Sequence, residues 1–300
     1  MIDQPMDNIN QGSVKVLQGL IKTMRPKQWT KNLILFAAIL FSNNLLNWQL
    51  LRTSIIGFVL FCFFSGSVYI LNDIVDVEKD KVHPKKSKRP IASGQVKVNQ
   101  AIIFFVVLLI GSLTASFWIS TSFGLVGLSY VLLVSLYTFK LKNMVILDIM
   151  AISLGFVLRA IAGAVLVGVR ISPWLLLCTI LLSMFLALHK RKSEMQLFTN
   201  GTGTSRKILE EYTPELINDM LHIVTSSTVM AYSLYTFTGS HSIYMMGTIP
   251  FVIYGIFRYQ YIAHTKDMGE NPELVLLSDK PLIVDILLWV VSCVVILYFV

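Results

Sequence analysis

Nine apolar runs, separated only by short polar breaks, constrain this chain more than any other feature. They lie near Leu33 to Leu46, Ser54 to Leu71, Ala101 to Ile119, Phe123 to Phe139, Ile146 to Val167, Trp174 to Leu188, Ile217 to Phe237, Ile243 to Phe257 and Leu282 to Phe299. A helix needs about 20 mostly apolar residues to cross a bilayer, and only helices or closed barrels satisfy the backbone there. The expected fold class is therefore all-α: a polytopic membrane protein, a bundle of nine transmembrane helices, with the lipid bilayer as its solvent. Of 300 residues, 55% are hydrophobic and 14% charged, which excludes an ordinary soluble domain. The first 25 residues are polar and lack the hydrophobic core of a secretory signal. Cys62, Cys178 and Cys293 all fall inside apolar runs without CxxC or metal spacing, and read as small buried hydrophobes.

Charge distribution sets the expected topology, because short loops rich in Lys and Arg stay in the cytoplasm. With the N-terminus inside, 22 of the 25 Lys and Arg residues fall on the cytoplasmic face, and only Arg52 and Arg170 lie opposite. The net charge of +8 is then topogenic and implies no nucleic acid partner. No repeat or long linker divides the chain, so residues 1–300 read as a single integral membrane domain, with 1–30 as a cytoplasmic or interfacial segment. The longer loops, roughly 73–98, 189–215 and 258–281, share the basic face, where function is expected.

Asn72, Asp73, Asp76 and Asp80 follow NDxxDxxxD spacing at the end of the second run. On a helix continued past the membrane edge, the three carboxylates recur at i, i+3 and i+7 and share one face. Like charges so placed repel one another; they make a poor solvated surface and a good seat for a divalent cation such as Mg²⁺, which takes carboxylates together with substrate phosphates. An acidic helix end neutralised by nearby lysines is the plainer alternative, and the cost of charge at the end of a membrane run weighs against it. Lys81, Lys85, Lys86, Lys88 and Arg89 follow closely, and a positive-inside loop accounts for several of them. Pro90 holds Arg89 in extended backbone, and "RPIASG" reads as a defined turn.

Further polar residues stand at the same edge. Tyr137, Lys140, Lys142 and Asp148 flank one connection; His189, Lys190, Arg191, Lys192 and Glu194 end the sixth run. Arg159 lies within a run, at a cost of about 2.5–3.5 kcal/mol, and is expected to face an anionic partner, Asp148 or a carboxylate of another helix. Lys22, Arg25, Lys27 and Lys31 surround Trp29, a pattern that serves equally as an interfacial anchor or as a clamp on an anionic headgroup. His189 and His264 have no HExxH-type partner, and no GxSxG, Walker A or GxGxxG element is present.

NDxxDxxxD in this position resembles the UbiA superfamily of intramembrane prenyltransferases. The resemblance implies a UbiA-like bundle in which Asp73, Asp76 and Asp80 bind a diphosphate through Mg²⁺, with Asn72 orienting the site, and a second acidic motif, DxxxD, after helix six. Here that stretch reads "LHKRKSEMQLF": Lys190 and Glu194 keep the spacing, one acid has become a base, and two more bases lie between. This departure looks like the decaprenyl-phosphate phosphoribosyltransferase branch, as do "RPKQWTKN", "HPKKSKRPIASG", "YTFKLKN", "LDIMAISLGFVLRAIAGA", "EEYTPELINDML", "FRYQYIAH" and "GENPELVLLSDKPL" in that order. The branch implies transfer of 5-phosphoribose from phosphoribosyl pyrophosphate to decaprenyl phosphate, with release of pyrophosphate, in the supply of decaprenylphosphoryl arabinose for cell-wall arabinan. Such a reaction gathers more anions than prenyl transfer does. Lys22, Arg25, Lys31, Lys85, Lys86, Arg89, Tyr137, Lys140, Lys142, Arg159, Lys190, Arg191, Lys192 and Glu194 are the expected substrate-binding set. A homo-oligomer is compatible with the sequence. A prenyltransferase acting on a small acceptor is the enzymatic alternative; a transporter is the alternative from another class, though its polar groups would sit nearer the midplane.

Overall fold

A computed structural model describes residues 5–84, 86–199, 207–238, 242–265, 275 and 278–300. Its α-helices are α1 (Pro5–Thr23), α2 (Ala37–Phe41), α3 (Trp48–Val75), α4 (Val77–Lys81), α5 (Val98–Ile119), α6 (Thr121–Phe139), α7 (Leu147–Val167), α8 (Pro173–Thr199), α9 (Pro214–Thr238), α10 (Ile249–Thr265) and α11 (Lys280–Phe299), and the described residues contain no strand. Local chemistry sets several boundaries. The Asn47 side chain accepts hydrogen bonds from the amides of Gln49 and Leu50 to start α3, Gly168 ends α7 at φ 72°, and Asp279 caps Leu282 with Pro281 just inside α11.

Six of these helices, α3, α5, α6, α7, α8 and α11, are long and apolar enough to cross a membrane. The remaining three apolar runs also fold as helix, in other forms. The seventh forms α9, whose first turns carry Asn218, Asp219 and His222; the eighth divides into a 3-10 helix, Ile243–Thr248, and α10, of 17 residues. The first, expected as one membrane helix from Leu33, is instead a 3-10 helix over Pro26–Phe36 followed by the five residues of α2. Two causes are visible. Asn32, fully buried, bonds from the 3-10 segment to Ser65 and Cys62 of α3, and Asn43 at φ 57° turns the chain after α2.

α3 and α7 are the most buried of the six, while α5 and α11 leave most of their apolar surface exposed. Ile103, Val107 and Ile110 of α5 stand outward at 59–65% exposure, as residues facing acyl chains should. Small residues let the central elements meet. A Cβ placed on Gly163 would lie 2.0 Å from the Leu35 carbonyl oxygen, and one on Gly57 would lie 2.1 Å from Leu166 Cδ1. Gly163→Ala forces backbone to move, because no side-chain rotation relieves the clash. We expect it to destabilise by about 1–3 kcal/mol, read as a lowered Tm in detergent, whereas Gly111→Ala, where a Cβ meets nothing within 4 Å, leaves Tm unchanged.

The C-terminal ends of α3, α6, α8 and α10 and the N-terminal ends of α5, α7, α9 and α11 lie on one face by chain alternation, and the charged motifs sit at those ends.

Candidate active site

The aspartate motif does not continue one straight helix, as the i, i+3, i+7 reading requires. α3 ends at Val75, Asp76 is the junction at φ −93°, ψ 7°, and α4 begins at Val77. Backbone bonds from Asp76 N to the Asn72 carbonyl and from Asp80 N to the Asp76 carbonyl hold the turn together. The kink separates the acids into two groups. Asp73 and Asp80, each 3% exposed, share Arg89, whose Nη1 donates to Asp73 Oδ1 at 3.0 Å and to Asp80 Oδ2 at 2.5 Å. Asp76 turns elsewhere, and both of its carboxylate oxygens accept from Lys142 Nζ at 3.1 Å.

Arg25 completes the cluster, its Nη2 lying 2.6 Å from Asp73 Oδ1 and its guanidinium stacked over Tyr69 at 4.7 Å. It stands at φ 54°, ψ 64° immediately before Pro26, a strained position for a non-glycine residue ahead of proline. Tyr69 in turn donates to Gln28 Oε1, which also accepts from Lys31. The "RPIASG" turn forms as expected. Ser93 N bonds to the Arg89 carbonyl, Val96 N bonds to the Pro90 carbonyl, and Gly94 takes φ 79°, so Arg89 projects from a fixed loop. Three carboxylates thus meet three cations drawn from three separate segments.

The residues suit Mg²⁺. No set of three or more His, Cys, Asp or Glu side chains converges among the described residues, but Asp73 and Asp80 converge in pairwise fashion on a single cationic nitrogen. Two hard oxygens around one positive centre are what Mg²⁺ takes when phosphates and water fill its other positions.

A second cluster lies at the end of α8. Arg191, 2% exposed, bridges Asp148 of α7 at 2.7 Å and Glu194 one turn along, and Lys190 lies 3.9 Å from Glu194. Tyr212 donates to Asp148 at 2.8 Å and accepts from Ile146 N, the residue at φ 68° that opens α7. Burial pushes the Tyr212 hydroxyl well above its usual pKa and keeps it a donor. Sequence reasoning placed Asp148 at this edge but missed Tyr212, although it stands within "EEYTPEL". Lys192 is the member of "KRK" that meets no carboxylate among the described residues, its Nζ lying 3.1 Å from His264 Nε2.

Arg159 corrects an expectation. It is 5% exposed and its partners are neutral: Asn32 Oδ1 at 2.7 Å, the Tyr130 hydroxyl at 2.7 Å and the Gly155 carbonyl at 2.8 Å, with the guanidinium over the Tyr130 ring at 4.6 Å. Asp148, the proposed partner, is taken by Arg191. Two of the Arg159 donors tie α7 to α6 and to the 3-10 segment, and a third bonds within α7 itself, the arrangement of a brace. Arg191 likewise presents no free charge, since two acids already neutralise it. Among the other expected contacts, Lys22 and Lys140 are exposed, Asn72, Lys86 and Tyr137 are half-buried, and Lys85 lies outside the described residues.

Comparison with known proteins bears on the fold and the family. Residues 33–278 match the UbiA prenyltransferase family. The decaprenyl-phosphate phosphoribosyltransferase of Corynebacterium glutamicum is 38% identical over 93% of this chain and 87% of its own; that of Mycolicibacterium smegmatis is 34% identical over 95% and 94%. A UbiA homologue from Archaeoglobus fulgidus, solved with DMAPP and Mg²⁺, superposes with a TM-score of 0.71 at 19% identity, covering 94% of this chain and 99% of the other. The chain therefore belongs to the UbiA prenyltransferase family, in its decaprenyl-phosphate phosphoribosyltransferase branch.

Proposed function

We propose that this chain moves 5-phosphoribose from phosphoribosyl pyrophosphate to a polyprenyl phosphate, decaprenyl phosphate in the first instance, and releases pyrophosphate on the cytoplasmic face. The observation that carries this reading beside the named relatives is the second cluster. At the place of the second acidic motif one acid is Lys190, and the remaining Glu194 is consumed, with Asp148 of α7, by Arg191, while Lys192 adds a further base. Such a site favours anions delivered without a second metal.

Mg²⁺ held by Asp73 and Asp80, with Asp76 beside them, would neutralise charge on the pyrophosphate. The chain's own cations do the rest. Arg25 and Arg89, 23% and 25% exposed, are accessible forks suited to phosphate oxygens, and Lys142 offers a point charge at Asp76. As the bond between ribose C1 and the pyrophosphate oxygen lengthens, C1 takes on oxocarbenium character; an oxygen of the lipid phosphate closes on the opposite face, inverting the α donor to a β product. The attacking phosphate is already anionic at neutral pH, so no base is required. Orientation and charge compensation are the protein's contribution. The polyprenyl tail lies along apolar helices open to the bilayer, and the product supplies decaprenylphosphoryl arabinose for the cell wall.

Purified protein incubated with ribose-labelled phosphoribosyl pyrophosphate, Mg²⁺ and decaprenyl phosphate should place label in an extractable phosphorylated lipid. Consumption of a prenyl diphosphate with no labelled lipid would instead mark a prenyltransferase.

A further inference from the structure

One small cavity lies apart from the aspartate cluster, between α8 and α10. Its lining is His189, Lys192, Ser193, Gln196, Ala263 and His264, and it holds about 10 Å³, room for a single water-sized atom. The first four recur at i, i+3, i+4 and i+7, one face of α8. Among the described residues no carboxylate lines it. Ammonium, hydroxyl, amide and imidazole groups face inward, a set that matches an anionic oxygen.

Two features mark it as built for a ligand. His189 is 2% exposed, its ring wedged against Phe185 and Tyr259 at centroid distances of 4.5 and 5.3 Å, yet its Nε2 has no hydrogen-bond partner. A buried polar atom left unpaired is costly, and such a cost is recovered when a ligand supplies the partner. Lys192 provides the second. Its Nζ meets His264 Nε2 at 3.1 Å, and His264 Nδ1 lies 2.8 Å from the Gln260 carbonyl. These contacts define one tautomer, with the proton on Nδ1 given to Gln260 and Nε2 accepting from the ammonium. The pairing places the charge without cancelling it, since the imidazole is neutral.

We propose that this cavity seats one oxygen of a phosphate monoester, making it an anion-binding point separate from the aspartate cluster. The proposal rests on the phosphoribosyl-transfer reading, in which donor and acceptor each carry such a group: the 5-phosphate of the ribose and the lipid phosphate.

The test is steady-state kinetics on the full-length protein with Lys192→Met, His264→Gln and the rescue variant Lys192→Arg, together with thermal stabilisation by inorganic phosphate. Losing one charged hydrogen bond should raise KM about tenfold for the substrate concerned, with kcat changed less and Lys192→Arg recovering most of the loss. A rise confined to phosphoribosyl pyrophosphate assigns the seat to the ribose 5-phosphate; a rise confined to decaprenyl phosphate assigns it to the lipid. Phosphate should stabilise the wild type and not Lys192→Met, and this result stands even if the wild type transfers no ribose, in which case the reaction assigned above fails and the seat does not. Unchanged KM for both substrates together with equal stabilisation of wild type and Lys192→Met overturns the proposal.

Discussion

Asp73→Asn abolishes transfer, with turnover falling about 10³-fold and the fold intact. The substitution keeps the side chain's volume and one acceptor oxygen while removing the charge on which Arg25 and Arg89 converge at 2.6 and 3.0 Å. Both guanidiniums reach solvent, so their loss of a partner is tolerable for stability. Catalysis should depend on that charge more heavily, because the cluster proposed to orient pyrophosphate is assembled around it. Turnover of the variant should be measured at saturating donor and lipid, with Tm as the check on folding; activity within tenfold of wild type would sink the metal assignment. Asp76→Asn, which frees Lys142 alone, serves as the companion and should also lose most of its turnover.

Arg191→Met acts on stability. Arg191 is 3% and Asp148 0% exposed in their side chains, and removing one partner of a buried ion pair strands the other charge, at a cost of about 3–5 kcal/mol. Denaturation in detergent should show this loss in the single variant and a smaller loss in Arg191→Met with Asp148→Asn, since Tyr212 still donates to the amide oxygen. Equal losses in the two would mean that the pair carries no coupling. A fall below about 1 kcal/mol in the single variant would remove Arg191 as the brace between α7 and α8.

The contrast between Arg159 and Arg191 shows how far the linear chain could be read. Arg159 was recognisable as a costly cation, because hydropathy marks a charge inside an apolar run, and Arg191 as one of the bases that end the sixth run. Which acid each would meet was not legible. Arg159 finds Asn32, 127 positions away, because the chain from Pro26 into the first apolar run is a 3-10 segment laid against α3 and α7, with Asn32 bonded to Ser65 of α3, a conformation that no apolar periodicity announces. With Arg159 satisfied by neutral groups, Asp148 is left to Arg191 and Tyr212. Similarly, NDxxDxxxD spacing raised the expectation of a metal seat, while the kink at Asp76 that pairs Asp73 with Asp80 and sends Asp76 to Lys142 was visible only in the tertiary structure.

By itself the sequence determined the all-helical membrane class, the gathering of charge on one face, the aspartate motif and its exchange of a second acid pair for "KRKSE". These are one-dimensional patterns, set by apolar length and residue spacing. Tertiary structure alone decided which cation answers which carboxylate and which polar atom is left unpaired, as at His189. The reason is physical: in a water-poor interior a charge or donor takes whichever partner the backbone brings within about 3 Å, and those partners come from segments far apart in the chain.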